Sequence, residues 1–185
     1  MRRRLFVFSG PPGAGKGTVI ARVRESRPDL ALSVSATTRA PRPGEVDGIA
    51  YHFLTDAQFD ELIAQGGFLE WAHVHSNRYG TPRMHVEQVL EHQSLILEID
   101  PQGAFNVRAA MPDAVLVFIA PPSLEVLRER LAGRGTEDEA SLAKRLSDVQ
   151  SFMDASARYD EVVVNDVLDE TVAQVLGIID RYEKC

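Results

Sequence analysis

Leu5-Phe6-Val7-Phe8-Ser9-Gly10-Pro11-Pro12-Gly13-Ala14-Gly15-Lys16-Gly17-Thr18 is the stretch whose reading decides the fold. Leu5 to Phe8 is a short apolar run without alternation, the pattern of a strand covered on both faces. A glycine-rich turn follows from Gly10 to Gly17. A helical pattern then runs from Thr18 to about Arg27, where Pro28 stops it. Strand, glycine turn and helix in that order is the context a phosphate-binding loop requires, and the turn fits GxxxxGK. Its glycines permit positive φ, so successive backbone N–H groups can converge on phosphate oxygens. The helix behind them aims its positive end at the same anion. Gly10, Pro11, Pro12, Gly13, Ala14, Gly15, Lys16, Gly17 and Thr18 are the candidate triphosphate cradle, with Lys16 reaching the β- and γ-phosphates. Gly17 stands where Ser or Thr usually follows the lysine. The hydroxyl comes one place later, which makes Thr18 the candidate magnesium ligand.

Working outward, three more apolar runs read as strands: Ser94 to Ile99, Ala114 to Ile119 and Glu161 to Val164. Helical periodicity fills the gaps at Met84–His92, Gly103–Ala110, Ser123–Leu131 and Glu170–Glu183. Apolar strands alternating with amphipathic helices indicate βα units and an α/β fold, a doubly wound parallel sheet flanked by helices. Two segments break that rhythm. Ser33 to Tyr79 carries turns and strand-like pieces around one helix, Asp56 to Gln65, which Gly66-Gly67 stops; Gly133 to Tyr159 is a charged helical stretch. Both read as insertions over the ligand edge of the sheet.

The chain has 185 residues, which favours one domain, and its 44% hydrophobic and 25% charged content excludes disordered, collagen-like and coiled-coil classes. With 20 basic and 27 acidic side chains the formal charge is −7, so nucleic acid is not an expected partner. No apolar run approaches the ~20 residues of a membrane helix. The four apolar residues after Arg2-Arg3-Arg4 are too few for a signal peptide's core of ~7–15. The single cysteine, Cys185, rules out an intrachain disulfide and fits a reducing, cytoplasmic location. His73 and His75 form an HxH pair for which a polar strand face is favoured over a metal site, since no third ligand is evident. Nothing in the sequence fixes the number of chains in the assembly.

Ser35-Ala36-Thr37-Thr38-Arg39-Ala40-Pro41-Arg42-Pro43-Gly44-Glu45 packs hydroxyls and two arginines among turn-formers. Two guanidiniums three residues apart suit a phosphate dianion, which each can grip with a bidentate fork, and the prolines lower the ordering cost. Together with Gly48 and Tyr51-His52-Phe53, this segment resembles the mononucleotide-binding segment of guanylate kinases. Phe68-Leu69-Glu70-Trp71-Ala72, Tyr79-Gly80-Thr81-Pro82, Ile99-Asp100-Pro101-Gln102-Gly103 and Phe118-Ile119-Ala120-Pro121-Pro122 are similar to the same family. So are Arg130 to Thr136, Lys144-Arg145-Leu146 and Val164-Asn165-Asp166, and the likeness spans about Phe6 to Ile179. Pro12 and Glu98 depart from the family's commoner serine and aspartate.

The resemblance implies a P-loop NTPase-type sheet forming one domain over residues 1–185. Its core would be about 4–34, 84–122 and 160–185, with a GMP-binding insertion at about 35–83 and a helical lid at about 123–159. It implies transfer of the γ-phosphoryl group of ATP to GMP, and to dGMP, with Mg²⁺. Arg39, Arg42, Tyr51 and Tyr79 would clamp the phosphate of GMP, and Ser35, Glu70, Thr81 and Asp100 would surround its guanine. Arg134 and Arg145 would come from the lid onto the transferring phosphates, Lys16 and Arg39 would join them in catalysis, and Asn165 would lie near the adenine. The chemistry agrees: a carboxylate such as Glu70 accepts from guanine N1–H and the exocyclic N–H, whereas the N1 lone pair of adenine would be repelled. A phosphate acceptor needs no general base, being largely dianionic at neutral pH. A kinase for AMP, dTMP or a ribose bisphosphate would share the loop, but Glu70, Asp100, Ser35 and Thr81 weigh against it. A non-catalytic guanylate-kinase-like interaction module tends to lose the loop lysine or lid arginines, and Lys16, Arg134 and Arg145 are all present.

Overall fold

The apolar run that opens the chain becomes strand β1, Leu5–Ser9, buried along its whole length. The computed structural model describes residues 2–74, 76–132, 149 and 151–185. Arg134, Arg145 and His75 lie outside the described residues. β1 is the centre of a five-stranded sheet of order β2-β7-β1-β8-β9, formed by Ala31–Leu32, Leu95–Glu98, β1, Val115–Ala120 and Glu161–Val164. Every pairing in it is parallel, with Phe6 opposite Ile96 on one side and Val115 on the other. A parallel sheet needs cover on both faces, and its strands supply it by alternation. Phe6 and Phe8 of β1, with Val115, Val117 and Ile119 of β8, face helices α1 (Lys16–Ser26) and α7 (Leu168–Lys184). Leu5 and Val7, with Leu95, Leu97, Leu116 and Phe118, face α3 (Arg83–Leu90) and α4 (Pro101–Ala110). The result is the expected α/β layer structure.

Helices begin and end where local chemistry dictates. α1 starts at Lys16, two residues before the sequence expectation, because Gly15 takes the left-handed conformation at its N-cap. α7 buries Val172, Val175, Ile178 and Ile179, a spacing of three and four that makes one apolar stripe. At its end Glu183 is buried as well, accepting from Ser94 Oγ at 2.6 Å and from Arg27 Nη2 at 2.8 Å. α5 (Leu124–Ala132) follows β8, residues 151–155 form α6, and a short 3₁₀ turn at Ser156–Arg158 leads into β9. Among the described residues no helix is long and apolar enough to cross a membrane.

The segment between β2 and α3 builds a second sheet of order β4-β3-β6-β5, from His52–Phe53, Ala36–Thr37, Asn77–Pro82 and Phe68–Val74. Its own small core joins Ala36, Phe59 and Phe68 under helix α2, Asp56–Ala64. Thr55 and Gln58 cap that helix reciprocally. The β5–β6 register shifts between Phe68 and Glu70, an irregularity of the kind that re-aims a side chain; Phe68, Leu69 and Glu70 are all buried. Because Phe8 is fully buried in the central strand, Phe8→Ala is expected to lower the unfolding free energy by about 3–5 kcal/mol. Urea denaturation measures this, and a loss below about 1 kcal/mol would contradict the packing described.

Candidate active site

Strand β1 delivers the chain to Gly10, whose φ of +151° and missing Cβ let the backbone pass against β8; a Cβ there would stand 2.1 Å from the carbonyl oxygen of Ile119. The loop ends at Gly15, φ +86°, where a Cβ would meet Asn165 Nδ2 at 2.4 Å. Among the described residues no side chain caps the first turn of α1, and a helix start of this kind favours an anion. Lys16 folds back along the turn, Nζ donating to the carbonyls of Gly10 at 2.9 Å and Pro11 at 3.2 Å. Asn165 is buried at the end of β9, its Nδ2 donating to Ala14 O at 2.7 Å. It underpins the loop from below. A cavity of about 270 Å³ opens on the loop, lined by Pro12, Gly13, Gly15, Lys16, Gly17, Thr18 and Glu98.

A second cavity of about 570 Å³ lies between the two sheets' facing ends. It gathers Ser35, Arg42, Tyr51, Glu70, Tyr79 and Asp100 from the approach to β3, the β3–β4 loop, β5, β6 and the start of α4. Tyr51 and Tyr79 meet edge to face with ring centroids 5.8 Å apart. Arg39 stands behind them, its guanidinium 5.4 Å from the Tyr51 ring centre and bonded to Glu45 at 2.9 Å. Thr81 is also behind the wall, fully buried, donating to Glu70 Oε1 at 2.6 Å. α4 packs on β5 so closely that a Cβ at Gly103 would stand 2.9 Å from Glu70 Oε2, while Asp100 caps that helix by accepting from Gly103 N at 2.8 Å. Burial, reinforced by Asp100 and opposed by the Thr81 hydroxyl, pushes the Glu70 carboxyl up to about 7. At the other end of the cavity burial raises Tyr51, with Tyr79 and Glu98 adding to it.

Pro12, Lys16 and Glu98 line both cavities, so one wall separates them. The cleft around Glu98 raises its carboxyl and Lys16 pulls it back down. Of the residues expected to surround an acceptor, six line the second cavity, and Arg39 and Thr81 touch neighbours that do. Glu98, Glu45 and Phe152, which also lines the second cavity, carry no role in the sequence alone. An acidic residue at the last position of a strand beside a phosphate loop was the available signal for Glu98.

A glycine loop at a helix start, sharing a wall with a second cavity that has arginine at one end and a buried carboxylate at the other, defines the class of P-loop phosphotransferases. The family model for guanylate kinase matches residues 2–182. The guanylate kinase of Thermobifida fusca is 49% identical over 178 residues, covering 96% of this chain and 91% of the relative. That of Synechocystis sp. is 45% identical over 184 residues, covering 99% and 96%. The crystal structure of guanylate kinase from Anaplasma phagocytophilum superposes with a TM-score of 0.81 at 33% identity, covering 98% of this chain and 86% of that one. The chain belongs to the guanylate kinase family and is an enzyme of that family, an ATP-dependent phosphotransferase.

The state of Glu70 fixes a sign. Its carboxyl is raised from 4.5 to about 7 in the folded protein, so the folded chain keeps a proton that the unfolded chain releases between those values. The residue's contribution to stability is therefore present at low pH and lost as pH rises through about 7. Glu70→Gln, which does not titrate, should raise the thermal midpoint relative to the parent at about pH 8, and the gap should close towards about pH 5. Scanning calorimetry at both values checks this; an equal gap at both would remove the ionisation cost.

Proposed function

We propose that the shared wall of Pro12, Lys16 and Glu98 is where phosphoryl transfer takes place, with ATP seated on the loop and the acceptor nucleotide in the larger cavity. As a member of its family the chain transfers the γ-phosphoryl group of ATP to GMP, forming ADP and GDP. The single observation that carries the residue assignment is that wall: one lysine borders both seats. Arg42, Tyr51 and Tyr79 take the phosphate of GMP, with Arg39 held behind Tyr51. Ser35, Glu70 and Asp100 take the guanine, with Thr81 holding Glu70. Glu70 and Asp100 offer acceptors to the N–H groups of the pairing edge, and binding supplies the hydrogen bonds that favour an ionised Glu70. A base lacking those donors leaves a buried carboxylate unpaired, and such sites discriminate by ~10⁴–10⁵. These groups address phosphate and base, so dGMP serves as a second acceptor.

Catalysis on this reading is positioning and charge neutralisation. Lys16 leaves its carbonyl partners for the β- and γ-phosphates, and the α1 amides hold the same oxygens. The exposed Thr18 hydroxyl and the Glu98 carboxylate, which lies against Gly17, are hard oxygen donors on the loop's rim and suit Mg²⁺ arriving with ATP. Bound there, the ion supplies charge neutralisation between the phosphates. By the resemblance, Arg134 and Arg145, outside the described residues, complete the cationic ring. The segments 35–83 and 123–159 act as acceptor-binding insertion and lid over the core.

Coupled detection of ADP across GMP, dGMP, AMP and UMP, with and without magnesium, tests the reading. GMP should lead, AMP should fall behind by about 10⁴ in kcat/KM, and turnover should require the ion. Faster turnover of AMP would reverse the acceptor assignment. Lys16→Ala and Arg134→Ala should each lower kcat by about 10³ or more with the KM for GMP little changed. Arg42→Ala should mainly raise the KM for GMP. Parent-like kinetics in any of the three would remove that residue from its role.

A further inference from the structure

Glu45 has no place in the roles assigned above, yet the phosphate arginines are built around it. Its Oε1 accepts from Arg39 Nη2 at 2.9 Å and its Oε2 accepts from the backbone N–H of Arg42 at 2.7 Å. Its own N–H donates to Arg42 O at 3.0 Å, so the loop closes into a ring through both backbone and side chain. The other edge of Arg39 is engaged as well, Nη1 donating to Ala40 O at 2.7 Å. The Tyr51 and Phe53 rings lie 5.4 and 5.8 Å from the same guanidinium. The arginine is thereby fixed at both edges and over its face. Only 14% of the Arg39 side chain and 21% of Glu45 remain exposed, in a loop whose other side chains are mostly open to solvent. Pro41 and Pro43 fix φ at two further positions of the ring.

We propose that Glu45 is a positioning residue for the acceptor's phosphate: its two carboxylate oxygens tie the Arg39 guanidinium and the Arg42 backbone into one rigid ring. The Arg39 guanidinium behind Tyr51 and the backbone that carries Arg42 are then held at a preset separation beside the phosphate of GMP. The inference rests on the acceptor seat proposed above. Two effects of the carboxylate oppose each other. Its charge repels a phosphate dianion, but that charge is already neutralised by Arg39 and screened by the open loop. Its hydrogen bonds remove rotamer freedom that the Arg39 side chain would otherwise lose on binding, and they fix the backbone from which Arg42 departs. The second effect acts at contact and prevails.

Steady-state kinetics on the parent, Glu45→Ala, Glu45→Gln and Arg39→Ala, with guanosine as a competitor lacking the phosphate, test this. Glu45→Ala should raise the KM for GMP about tenfold or more, while the KM for ATP and the inhibition constant of guanosine stay within about twofold. Glu45→Gln keeps the side chain's shape but turns an amide N–H towards one of the two donors. It should raise the KM for GMP by about threefold or more, and it serves if the alanine variant does not fold. An unchanged or lowered KM for GMP in both Glu45 variants would overturn the proposal. So would a parallel rise in the guanosine constant, which would mark Glu45 as a support of the whole pocket. Arg39→Ala separates the two readings. If it too leaves the KM for GMP unchanged, the acceptor seat itself is misassigned; if it raises the KM while the Glu45 variants do not, the ring alone fails.

Discussion

The structure depends on the start of α1, whose leading backbone N–H groups no side chain caps among the described residues. Such groups are costly to bury and invite an anion, and the surrounding chain is arranged to keep them in place. Gly10 lets the loop pass against the Ile119 carbonyl, Gly15 turns it into the helix, and Asn165 holds Ala14 from beneath. The parallel sheet supports this arrangement by bringing the C-terminal ends of β1, β7, β8 and β9 to one edge. Lys16, Glu98, Asp100 and Asn165 all leave from that edge. The position of the ligand edge therefore follows from strand direction.

On the proposed seating of the acceptor, specificity uses the opposite device, a buried group that is costly without its ligand. Glu70 sits under β6 and α4 with one hydroxyl for company, and its carboxyl is displaced upward by that burial. A ligand that brings two N–H donors removes the penalty, and one that does not leaves it standing. The phosphate end is built from cations that already have partners, Arg39 with Glu45 and Lys16 with loop carbonyls. On that proposal one end of the cavity discriminates by unmet demand and the other attracts by charge.

How much of this could be read from the chain follows from the range of each interaction. Leu5–Ser9, Leu95–Glu98, Val115–Ala120 and Glu161–Val164 were visible because strands covered on both faces are written as local apolar runs. α7 was visible because its stripe repeats within seventeen residues. The two-residue strands β2, β3 and β4 were not, since pairing partners 16 or more residues away define them. The resemblance named the acceptor residues, but the division between those lining the cavity and those behind it is a property of packing. Arg39 reads as a solvated loop cation until Glu45, Tyr51 and Phe53 are placed around it. Glu183, near the end of an exposed-looking helix, is buried because Arg27 and Ser94 reach it from far upstream.

The Asn165 anchor has a kinetic side. Its partner, Ala14, lies 151 residues earlier in the chain. The glycine loop is synthesised well before β9, yet the contact that holds it in shape waits until β9 has been made and docked beside β8. A nascent chain emerging from the ribosome carries the nucleotide-binding motif long before it has a nucleotide-binding site, so ATP favours only a late stage of folding.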